Sequence, residues 1–491
     1  MKFSDAQNAR IAGVLTGLAA GDALGAGYEF HPPMAASAPV GMIGGGLGNF
    51  APGEWTDDTS MAVVIARALV TSRGTLSDAA CGEMVREWAA WAKAAPDVGN
   101  QTRAVLRGAR QLAHDAGRET PGAADAMVAA ETIHRRTGRS GGNGSLMRTA
   151  PVALAFLDRE PPEAFEAAER VSALTHFDPE AGEACGLWTV AIRHAVLTGE
   201  LDVRVGLPLL PADRAQVWEE RLRAAEAGSP RDFRDNGWVV EALQGAWSAI
   251  AGTRGDSVDG VRRADGPTHL QAALGAAVRG GVDTDTVAAI AGSLLGATYG
   301  VPAIPNSWLR MLHGWPGLRA RDLIGLGAAL PGRSRLEGQW PAIERMDYSQ
   351  WDGADGAAVV AHPDDPGVLL GPAGALATAE YDAAVSLCRM GSAEVRVASP
   401  EDHAEFWLID GENLYSEFTL RDAAETVRTF REEGKRVLLH CVRMESRTPT
   451  VAAFYGALVT GSSLPQALTR VRTALPGAAP NAAFRRLLEN S

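Results

Sequence analysis

The hydrophobic pattern changes once along this chain of 491 residues, and that change limits what the chain can fold into. Up to about residue 315, apolar residues recur at helical spacing in one segment after another. The alternation of β-branched and aromatic residues that is typical of strands is missing there. Small residues on the first helix, such as Gly13, Gly17, Ala20 and Gly21, permit close helix packing. We therefore predict an all-α domain over residues 1–327, with helices at 11–20, 59–72, 101–114, 163–174, 180–198, 213–227, 238–251 and 284–299.

Beyond residue 380, short apolar runs alternate with helical segments, which is typical of a parallel or mixed sheet covered by helices. The predicted strands are 383–388, 394–398, 406–410 and 436–440, and the predicted helices are 420–433, 448–460, 463–474 and 480–489. The preceding segment, 328–380, is rich in proline and glycine and has no long periodic run. We predict a linker or irregular segment over 328–355 and an α/β domain over 356–491.

Charge and cysteine content exclude several classes of protein. The formal net charge of −13 argues against broad nucleic-acid binding, although a local basic pocket stays possible. The four cysteines lie far apart and lack metal-ligand spacing. Neither a signal peptide nor an uninterrupted apolar stretch of about 18 residues is recognisable, so we expect a cytoplasmic protein without a membrane partner.

Two short acidic motifs each stand before a predicted helix, TDDT at 56–59 and DTDT at 283–286. Their donors are all oxygen atoms, a set that suits Mg²⁺, Mn²⁺ or Ca²⁺ and not structural Zn²⁺. If the motifs meet in space, they can hold two ions about 3.5–4 Å apart. The alternative is that these residues only cap their helices. One aspartate suffices for a cap, however, and adjacent like charges are unfavourable without a cation.

A glycine-rich segment, GGNGSLMR at 141–148, is a third candidate. Its backbone N–H groups can cradle a diphosphate or a ribose, and Arg148 can add positive charge. A loop of this kind is weak evidence alone, since most are only turns. The lysine of the nucleotide-binding P-loop is missing from it.

Taken together, the ordered motifs resemble the ADP-ribosylglycohydrolases, the group related to dinitrogenase reductase-activating glycohydrolase, over about residues 8–315. The matching patterns are G-x-x-x-G-D-A-L-G-x-x-x-E at 17–29, G-x-W-T-D-D-T at 53–59, D-x-G-N at 97–100, G-N-G-S-L-M-R-x-x-P at 142–151, T-H at 175–176 and D-T-D-T at 283–286.

The resemblance implies an all-helical hydrolase with two divalent ions, usually Mg²⁺ or Mn²⁺, that cleaves ADP-ribose from a modified protein or a related acceptor. It places the metal ligands at Thr56, Asp57, Asp58, Asp283, Asp285 and Thr286. It places the substrate loop at Asp97 and Asn100, and the ADP-ribose contacts at Asn143, Gly144, Ser145, Met147 and His176. Glu29 falls beside the substrate. Such a reaction needs an attacking water and a protonated leaving group, so Glu29 or Asp97 serves as acid or base. A single histidine such as His176 is more often structural.

Residues 440–448, HCVRMESRT, place a C-x5-R pattern between a predicted strand and a helix. A cysteine at a helix N-terminus is stabilised as the thiolate nucleophile, the loop N–H groups bind phosphate, and an arginine grips two phosphate oxygens. Residues 355–491 thus resemble the dual-specificity, cysteine-based phosphatases. The resemblance makes Cys441 the nucleophile, Arg447 the phosphate ligand and Asp410, which lies 31 residues before the cysteine, the general acid.

Two residues depart from the phosphatase pattern. Met444 stands where the family has glycine for a tight turn, and Glu445 repels phosphate unless it points outward. The domain is therefore expected either to hydrolyse a phosphate group or to be a degenerate module that binds phosphate or ADP-ribose, and the sequence leaves this choice open.

We interpret the chain as a hydrolase that removes ADP-ribose, with ADP-ribosylated protein and ADP-ribose as its partners and nucleic acid as a less favoured acceptor. Two alternatives stay open. One is a binding protein that antagonises ADP-ribosylation sterically, and the other is a cysteine phosphatase with an accessory ADP-ribose-binding domain. The sequence leaves the linkage, the native metal and the oligomeric state undetermined.

Overall fold

The computed structural model describes residues 2–254, 266–332 and 340–489, which form two compact units. The first unit contains the described residues up to Ile304 and from Leu312 to 332. The second contains Pro305–Met311 and 340–489, so the polypeptide passes between the units three times. Part of the predicted linker, 333–339, lies outside the described residues.

Helices build the first unit, as the periodicity predicts. They are α1 (Asp5–Gly25), α2 (Asp57–Thr71), α3 (Asp78–Trp91), α4 (Asn100–Asp115), α5 (Ala123–Thr137), α6 (Ala150–Ala155), α7 (Pro161–Ala173), α8 (Pro179–Thr198), α9 (Ala212–Ala227), α10 (Val239–Thr253), α11 (Pro267–Arg279), α12 (Thr284–Tyr299) and, after α13 (Asn306–Leu309) of the second unit, α14 (Ala320–Ala329). A small antiparallel hairpin, β1 (His313–Gly314) with β2 (Leu318–Arg319), departs from the all-α prediction. Helices α3, α5, α6, α11 and α14 were not predicted, and α1 is longer than the predicted 11–20.

Glycines let the backbones of α1 and α12 touch. A Cβ atom added to Gly13 or Gly17 would lie 2.3 Å from the carbonyl oxygen of Gly296 or Gly292, respectively. In return, a Cβ atom on Gly292 would lie 2.1 Å from the carbonyl oxygen of Gly17. Residues spaced by four share one helix face, so glycines at 13, 17, 21 and 25 form a continuous row. The row ends at Gly25, whose added Cβ would lie 2.4 Å from the Cα of Asp285.

The segment Asp5–Tyr28 is the one helical segment among the described residues whose length and hydropathy would suit a membrane span. Within the unit, 89% of its apolar window is buried. Packing against neighbouring helices thus accounts for its apolar composition.

The second unit contains a five-stranded sheet with the order β3-β4-β7-β5-β6. The strands are β3 (Val360–His362), β4 (Asp365–Gly371), β5 (Ala383–Ser386), β6 (His403–Glu405) and β7 (Val437–His440), and the helices after α13 are α15 (Ser416–Glu432), α16 (Arg447–Thr460), α17 (Leu464–Ala474) and α18 (Ala482–Glu489). Strand β3 is antiparallel to β4, and the other neighbours pair in parallel. The backbone N–H of Asn306 in α13 donates to Asp422 Oδ2 of α15 at 2.8 Å.

Two strand predictions in this unit are wrong. Residues 394–398 form turn and coil, with side chains largely at the surface and without a strand partner. The segment 406–410 follows β6 instead of forming a strand. Phe406 and Leu408 are buried in the core of the unit, which explains their apolar character without a strand. Strands β3 and β4 lie inside 328–380 and form a hairpin that turns at residues 362–365. The sequence did not predict this hairpin because the segment is rich in proline and glycine.

Replacing Gly17 by alanine should destabilise the first unit by about 1–3 kcal/mol or more, because the methyl group collides with a backbone that cannot move aside. The measurement is the thermal midpoint of the purified full chain. Gly252 is the matched control, because it is also helical and its added Cβ would meet no atom of a described residue within 4 Å. Gly252→Ala should be neutral or stabilising. Equal effects of the two variants would contradict the packing argument.

Candidate functional site

Asp22 of α1 caps helix α2 from a neighbouring helix. Its carboxylate accepts hydrogen bonds from the backbone N–H groups of Thr56 at 2.9 Å and Thr59 at 3.0 Å, and from Thr59 Oγ1 at 2.6 Å. These N–H groups belong to the start of α2, where helical donors lack partners. Since Asp22 satisfies them, Asp57 and Asp58 are not required as caps.

At the start of α12, two asparagines hold Asp283. Asn143 Nδ2 donates to Asp283 Oδ2 at 2.8 Å and to the carbonyl oxygen of Asn236 at 2.8 Å. The Asn236 side-chain oxygen accepts the backbone N–H of Asp283 at 3.1 Å. Asp283 makes no side-chain cap of its own helix. Asp285 Oδ1 accepts the backbone N–H of Thr286 at 2.9 Å, so capping accounts for Asp285 in part, but it does not account for Asp283.

The structure brings the two acidic motifs together. Carboxylate oxygens of Asp22, Asp58 and Asp285 lie within 4.8 Å of one another, and those of Glu29, Asp283 and Asp285 do the same. The two trios share Asp285. We call these five residues, together with Asp57, the acidic cluster. Thr56 Oγ1 donates to Asp58 Oδ2 at 3.0 Å, and Thr286 is buried beside Asp285.

Burial and mutual repulsion raise the pKa values in the acidic cluster. Burial, followed by neighbouring carboxylates, raises the pKa values of Asp57, Asp58 and Asp285 well above their usual range. Burial raises the pKa of Asp22 to about 6, against its hydrogen bonds. The charged forms are thus disfavoured without a cation.

Glu29 is partly buried. Burial, then the charges of Asp283 and Asp97, raise its pKa to about 8. Its Oε2 and the Oδ1 of Asp58 are buried atoms without a hydrogen-bond partner among the described residues. Orphaned carboxylate oxygens in an all-oxygen donor set fit a divalent cation of the Mg²⁺, Mn²⁺ or Ca²⁺ type.

Asp97 and Asn100 lie at the edge of the cluster. Asp97 is half-buried, burial raises its pKa, and its charge in turn raises the pKa values of Glu29 and Asp57. Asn100 is exposed and begins α4.

The glycine-rich loop rests on His176. A Cβ atom on Gly142 or Gly144 would lie 3.3 or 3.2 Å from the imidazole ring. The ring is buried, and its Nδ1 is 2.7 Å from Thr175 Oγ1. Burial and then the charge of Arg148 hold the pKa of His176 well below its usual value. His176 is therefore neutral, and its ring packs against the glycines of the loop.

The hypothesis that Arg148 adds charge for a bound phosphate is wrong. Its side chain is fully buried, donates to Thr175 Oγ1 at 2.6 Å and lies 4.3 Å from the ring centroid of Trp88. Ser145 is also fully buried, with Cys185 Sγ donating to its hydroxyl at 3.5 Å, so only its backbone is left for a ligand. Met147 is buried too, and Thr286 Oγ1 lies 3.9 Å from its sulfur.

In the second unit, Cys441 follows β7 and Arg447 begins α16. Arg447 Nη1 donates to the carbonyl oxygens of Leu387 and Leu408 at 3.2 and 2.8 Å. Its Nε and the hydroxyl of Thr448 are buried and have no partner among the described residues. An oxyanion in the loop would satisfy both donors.

The two departures from the phosphatase pattern have structural explanations. Met444 has a φ of 61°, the left-handed conformation that glycine favours, at a cost of about 1–2 kcal/mol. Glu445 accepts a hydrogen bond from Arg443 at 2.7 Å, and both side chains are exposed, so the acid points outward.

Asp410 is held beside the same loop. Its Oδ1 accepts from Ser446 Oγ at 2.6 Å and from Asn481 Nδ2 at 2.7 Å, and the backbone N–H of Asn481 donates to Ser446 Oγ at 3.0 Å. The structure thus brings Asp410 close to the cysteine loop.

Two residues of the site were missed at the level of sequence. Asp22 was visible in the G-D-A-L-G motif, but its role as a cap of α2 depends on a residue 34 positions away. Asn236 lies in the turn-like triplet D-N-G and gives no signal of its contact with Asp283.

Both parts of the chain are similar to known proteins. The family model described as ADP-ribosylglycohydrolase matches residues 4–338. The ADP-ribosyl-[dinitrogen reductase] glycohydrolase of Rhodospirillum rubrum is 33% identical over 319 residues, covering 62% of this chain and 90% of that protein. The ADP-ribosylarginine hydrolase Tri1 of Serratia proteamaculans is 28% identical over 314 residues, covering 61% and 74%. Dual specificity protein phosphatase 1 of Arabidopsis thaliana is 30% identical over 101 residues, covering 20% and 51%.

Adding Mg²⁺ to chelator-treated protein should raise its melting temperature, and the increase should be larger at pH 8 than at pH 6. A carboxyl group whose pKa is raised by folding lowers the free energy of unfolding when no cation is bound. The loss occurs as the pH rises from the pKa of the group in the unfolded chain to its pKa in the folded chain, because the fold disfavours the charged form. A cation must displace protons, and fewer compete at pH 8, above the pKa of about 6 of Asp22. At 100 times its Kd, a cation adds about 2.7 kcal/mol.

The double variant Asp57→Asn/Asp58→Asn should lose most of the Mg²⁺-induced increase. Its matched control, Asp213→Asn/Asp352→Asn, removes two exposed carboxylates and should keep the increase. An increase that is independent of pH, or one that survives in the first variant, would contradict the assignment.

Proposed function

The chain belongs to the ADP-ribosylglycohydrolase family and is a hydrolase, and from this premise we propose that its first unit removes ADP-ribose from an ADP-ribosylated protein in a divalent-metal-dependent reaction. The observation that supports the metal-dependent reaction is the pair of carboxylate trios that share Asp285. Two overlapping trios match a site for two ions of the Mg²⁺ or Mn²⁺ type.

The residues that would hold the ions are those of the two acidic motifs. They are Thr56, Asp57, Asp58, Asp283, Asp285 and Thr286. When bound, the ions supply Lewis acidity for the ribose hydroxyl groups and lower the pKa of a bound water. The protein's own part is to keep the carboxylates in place, through Asp22 at α2 and through Asn143 and Asn236 at α12.

We propose Glu29 and Asp97 as the residues for general acid–base catalysis. Both are half-buried carboxyl groups at the edge of the acidic cluster, so both reach the space where a ribose and its leaving group would lie. Departure of the leaving group from C1″ requires a proton at its nitrogen or oxygen, and the attacking water must lose one.

The acceptor that we propose is arginine. Two relatives are named for ADP-ribosylarginine and for ADP-ribosylated dinitrogen reductase, and both align over the helical unit. A protein-linked ADP-ribose is thus the substrate class favoured for this chain.

For the second unit we propose binding of a phosphate monoester in the loop 441–447. The buried, unpartnered Arg447 Nε and Thr448 Oγ1 support this, since both are donors that an oxyanion would satisfy. In hydrolysis, Cys441 Sγ would form a bond to phosphorus while the ester P–O bond breaks and Asp410 protonates the leaving oxygen. Water would then hydrolyse the thiophosphate.

Incubation of an arginine-ADP-ribosylated protein with the full chain and Mg²⁺ should release free ADP-ribose. A chelator, or Asp57→Asn/Asp58→Asn, should reduce the rate by more than about a hundredfold, because the ligands of the catalytic ions are lost. Cys441→Ser is the matched control and should keep the rate. Equal release without metal would overturn the mechanism, and binding of ADP-ribose without release from any linkage would favour the steric antagonist.

Hydrolysis of para-nitrophenyl phosphate tests the second unit. Cys441→Ser should abolish any turnover while inorganic phosphate still binds, because Arg447 and the loop N–H groups remain. Cys81→Ser, at a buried cysteine of the first unit, should leave turnover unchanged. Failure of phosphate to bind the wild-type chain would contradict the proposal for this loop.

A further inference from the structure

Helix α4 carries a row of three arginines, Arg103, Arg107 and Arg110, which we call the basic stripe. Their spacing of four and three residues puts them on one side of the helix, and all three are exposed. The opposite side packs inward through residues such as Val105 and Ala109. None of the three side chains makes an ion pair or a side-chain hydrogen bond with a residue that the structure describes.

Many other surface arginines of the helical unit are paired with carboxylates. Those paired with carboxylates include Arg86, Arg118, Arg135, Arg159, Arg170, Arg204, Arg214, Arg221 and Arg223. The whole chain carries a net charge of −13. Unneutralised positive charge on one helix of an acidic protein is a local electrostatic feature that attracts anions.

The end of α5 adds positive charge beside the stripe. Arg136 and Arg139 are exposed, and their side chains have no ion-pair partner among the described residues. This end of α5 lies next to the start of α4, since Gln101 Nε2 donates to the carbonyl oxygen of Ser140 at 2.8 Å.

The stripe starts at the edge of the acidic cluster. Helix α4 begins three residues after Asp97, and the charge of Arg103 opposes the effect of burial on the pKa of Asp97. From Arg103 to Arg110 the helix advances about 10 Å, at 1.5 Å per residue. An acceptor whose ADP-ribose occupies the cluster therefore has the stripe beside it.

We propose that the basic stripe binds aspartate and glutamate side chains that flank the modified residue of the acceptor protein. The inference rests on the proposed function and adds a determinant of acceptor choice to it. Arginine forks bind carboxylates with two parallel hydrogen bonds. Rim charges of this kind steer association and suppress partners of the wrong charge.

The composition of α4 favours an acidic protein segment over a nucleic acid. Its exposed positions carry arginine, alanine, asparagine, glutamine, histidine and aspartate, without the phenylalanine, tyrosine or tryptophan on which bases stack. The overall negative charge also repels a long polyanion, whereas a short acidic segment carries only a few charges.

The test compares two arginine-ADP-ribosylated peptides, one flanked by glutamates and the other by glutamines, with free ADP-ribosylarginine as a third substrate. The wild-type chain should show a KM for the acidic peptide that is lower by about tenfold at low salt, and the difference should shrink as salt is added. Arg107→Glu/Arg110→Glu should abolish this preference and leave kcat/KM for free ADP-ribosylarginine unchanged.

The matched control is Arg472→Glu/Arg485→Glu, which reverses two exposed helical arginines of the second unit and should keep the preference. Equal KM values for the two peptides, or a preference that survives in the stripe variant, would overturn the proposal. A different result would also overturn the proposal: a single-stranded DNA oligonucleotide inhibits the wild-type chain but not the stripe variant, while the two peptides have equal KM values. That result would indicate a nucleic-acid site.

Failure of the proposed function is distinguishable from failure of this inference. If the wild-type chain releases ADP-ribose from none of the three substrates, the hydrolase assignment fails. Fluorescence anisotropy of the two labelled peptides then still tests the stripe, because a tighter complex with the acidic peptide must be lost in Arg107→Glu/Arg110→Glu.

Discussion

The contact between the backbones of α1 and α12 determines where the candidate site can lie. Because glycines face carbonyl oxygens across it, the two helices can neither slide nor rotate without a collision. The contact brings Asp22 and Asp285 into one trio of carboxylates. Asp22 then fixes the start of α2, which carries Asp57 and Asp58. Helix packing, helix capping and the collection of metal ligands are thus consequences of one interface.

The same interface creates an electrostatic problem. It buries several carboxyl groups within a few ångströms of one another, and burial, followed at Asp58 and Asp285 by repulsion from neighbouring carboxylates, raises their pKa values. The buried guanidinium of Arg148 offers a favourable charge to Asp57, but it lies in the core beside Trp88. Bound cations or protons must neutralise the buried carboxylates of this cluster in the folded chain. The stability of the fold therefore depends on the binding of these ligands.

The sequence predicted most reliably where the chemistry is local. The motifs at 56–59 and 283–286 hold their donors within four residues, and the C-x5-R loop lies between a buried strand and a helix, so spacing alone indicated both. Asn236 could not be found because its contacts depend on the tertiary position of a turn. The prediction for Arg148 failed because a glycine-rich loop next to an arginine has the sequence pattern of an anion site. The pattern does not reveal that the Arg148 side chain points into the core and donates to Thr175. The strand predicted at 394–398 failed because apolar alternation does not reveal whether a partner strand exists.

The connection between the two units has a consequence for how this protein is dissected. Since the chain visits the second unit at Pro305–Met311 and then returns to the first, no single cut separates the two. A fragment that ends before 340 keeps α13 but loses Asp422, the partner of its first backbone N–H, while a fragment that begins there loses α13 itself. Each unit is compact in space but is formed from two separate stretches of the sequence. An isolated unit that keeps all of its native contacts would require rejoined or permuted chain ends.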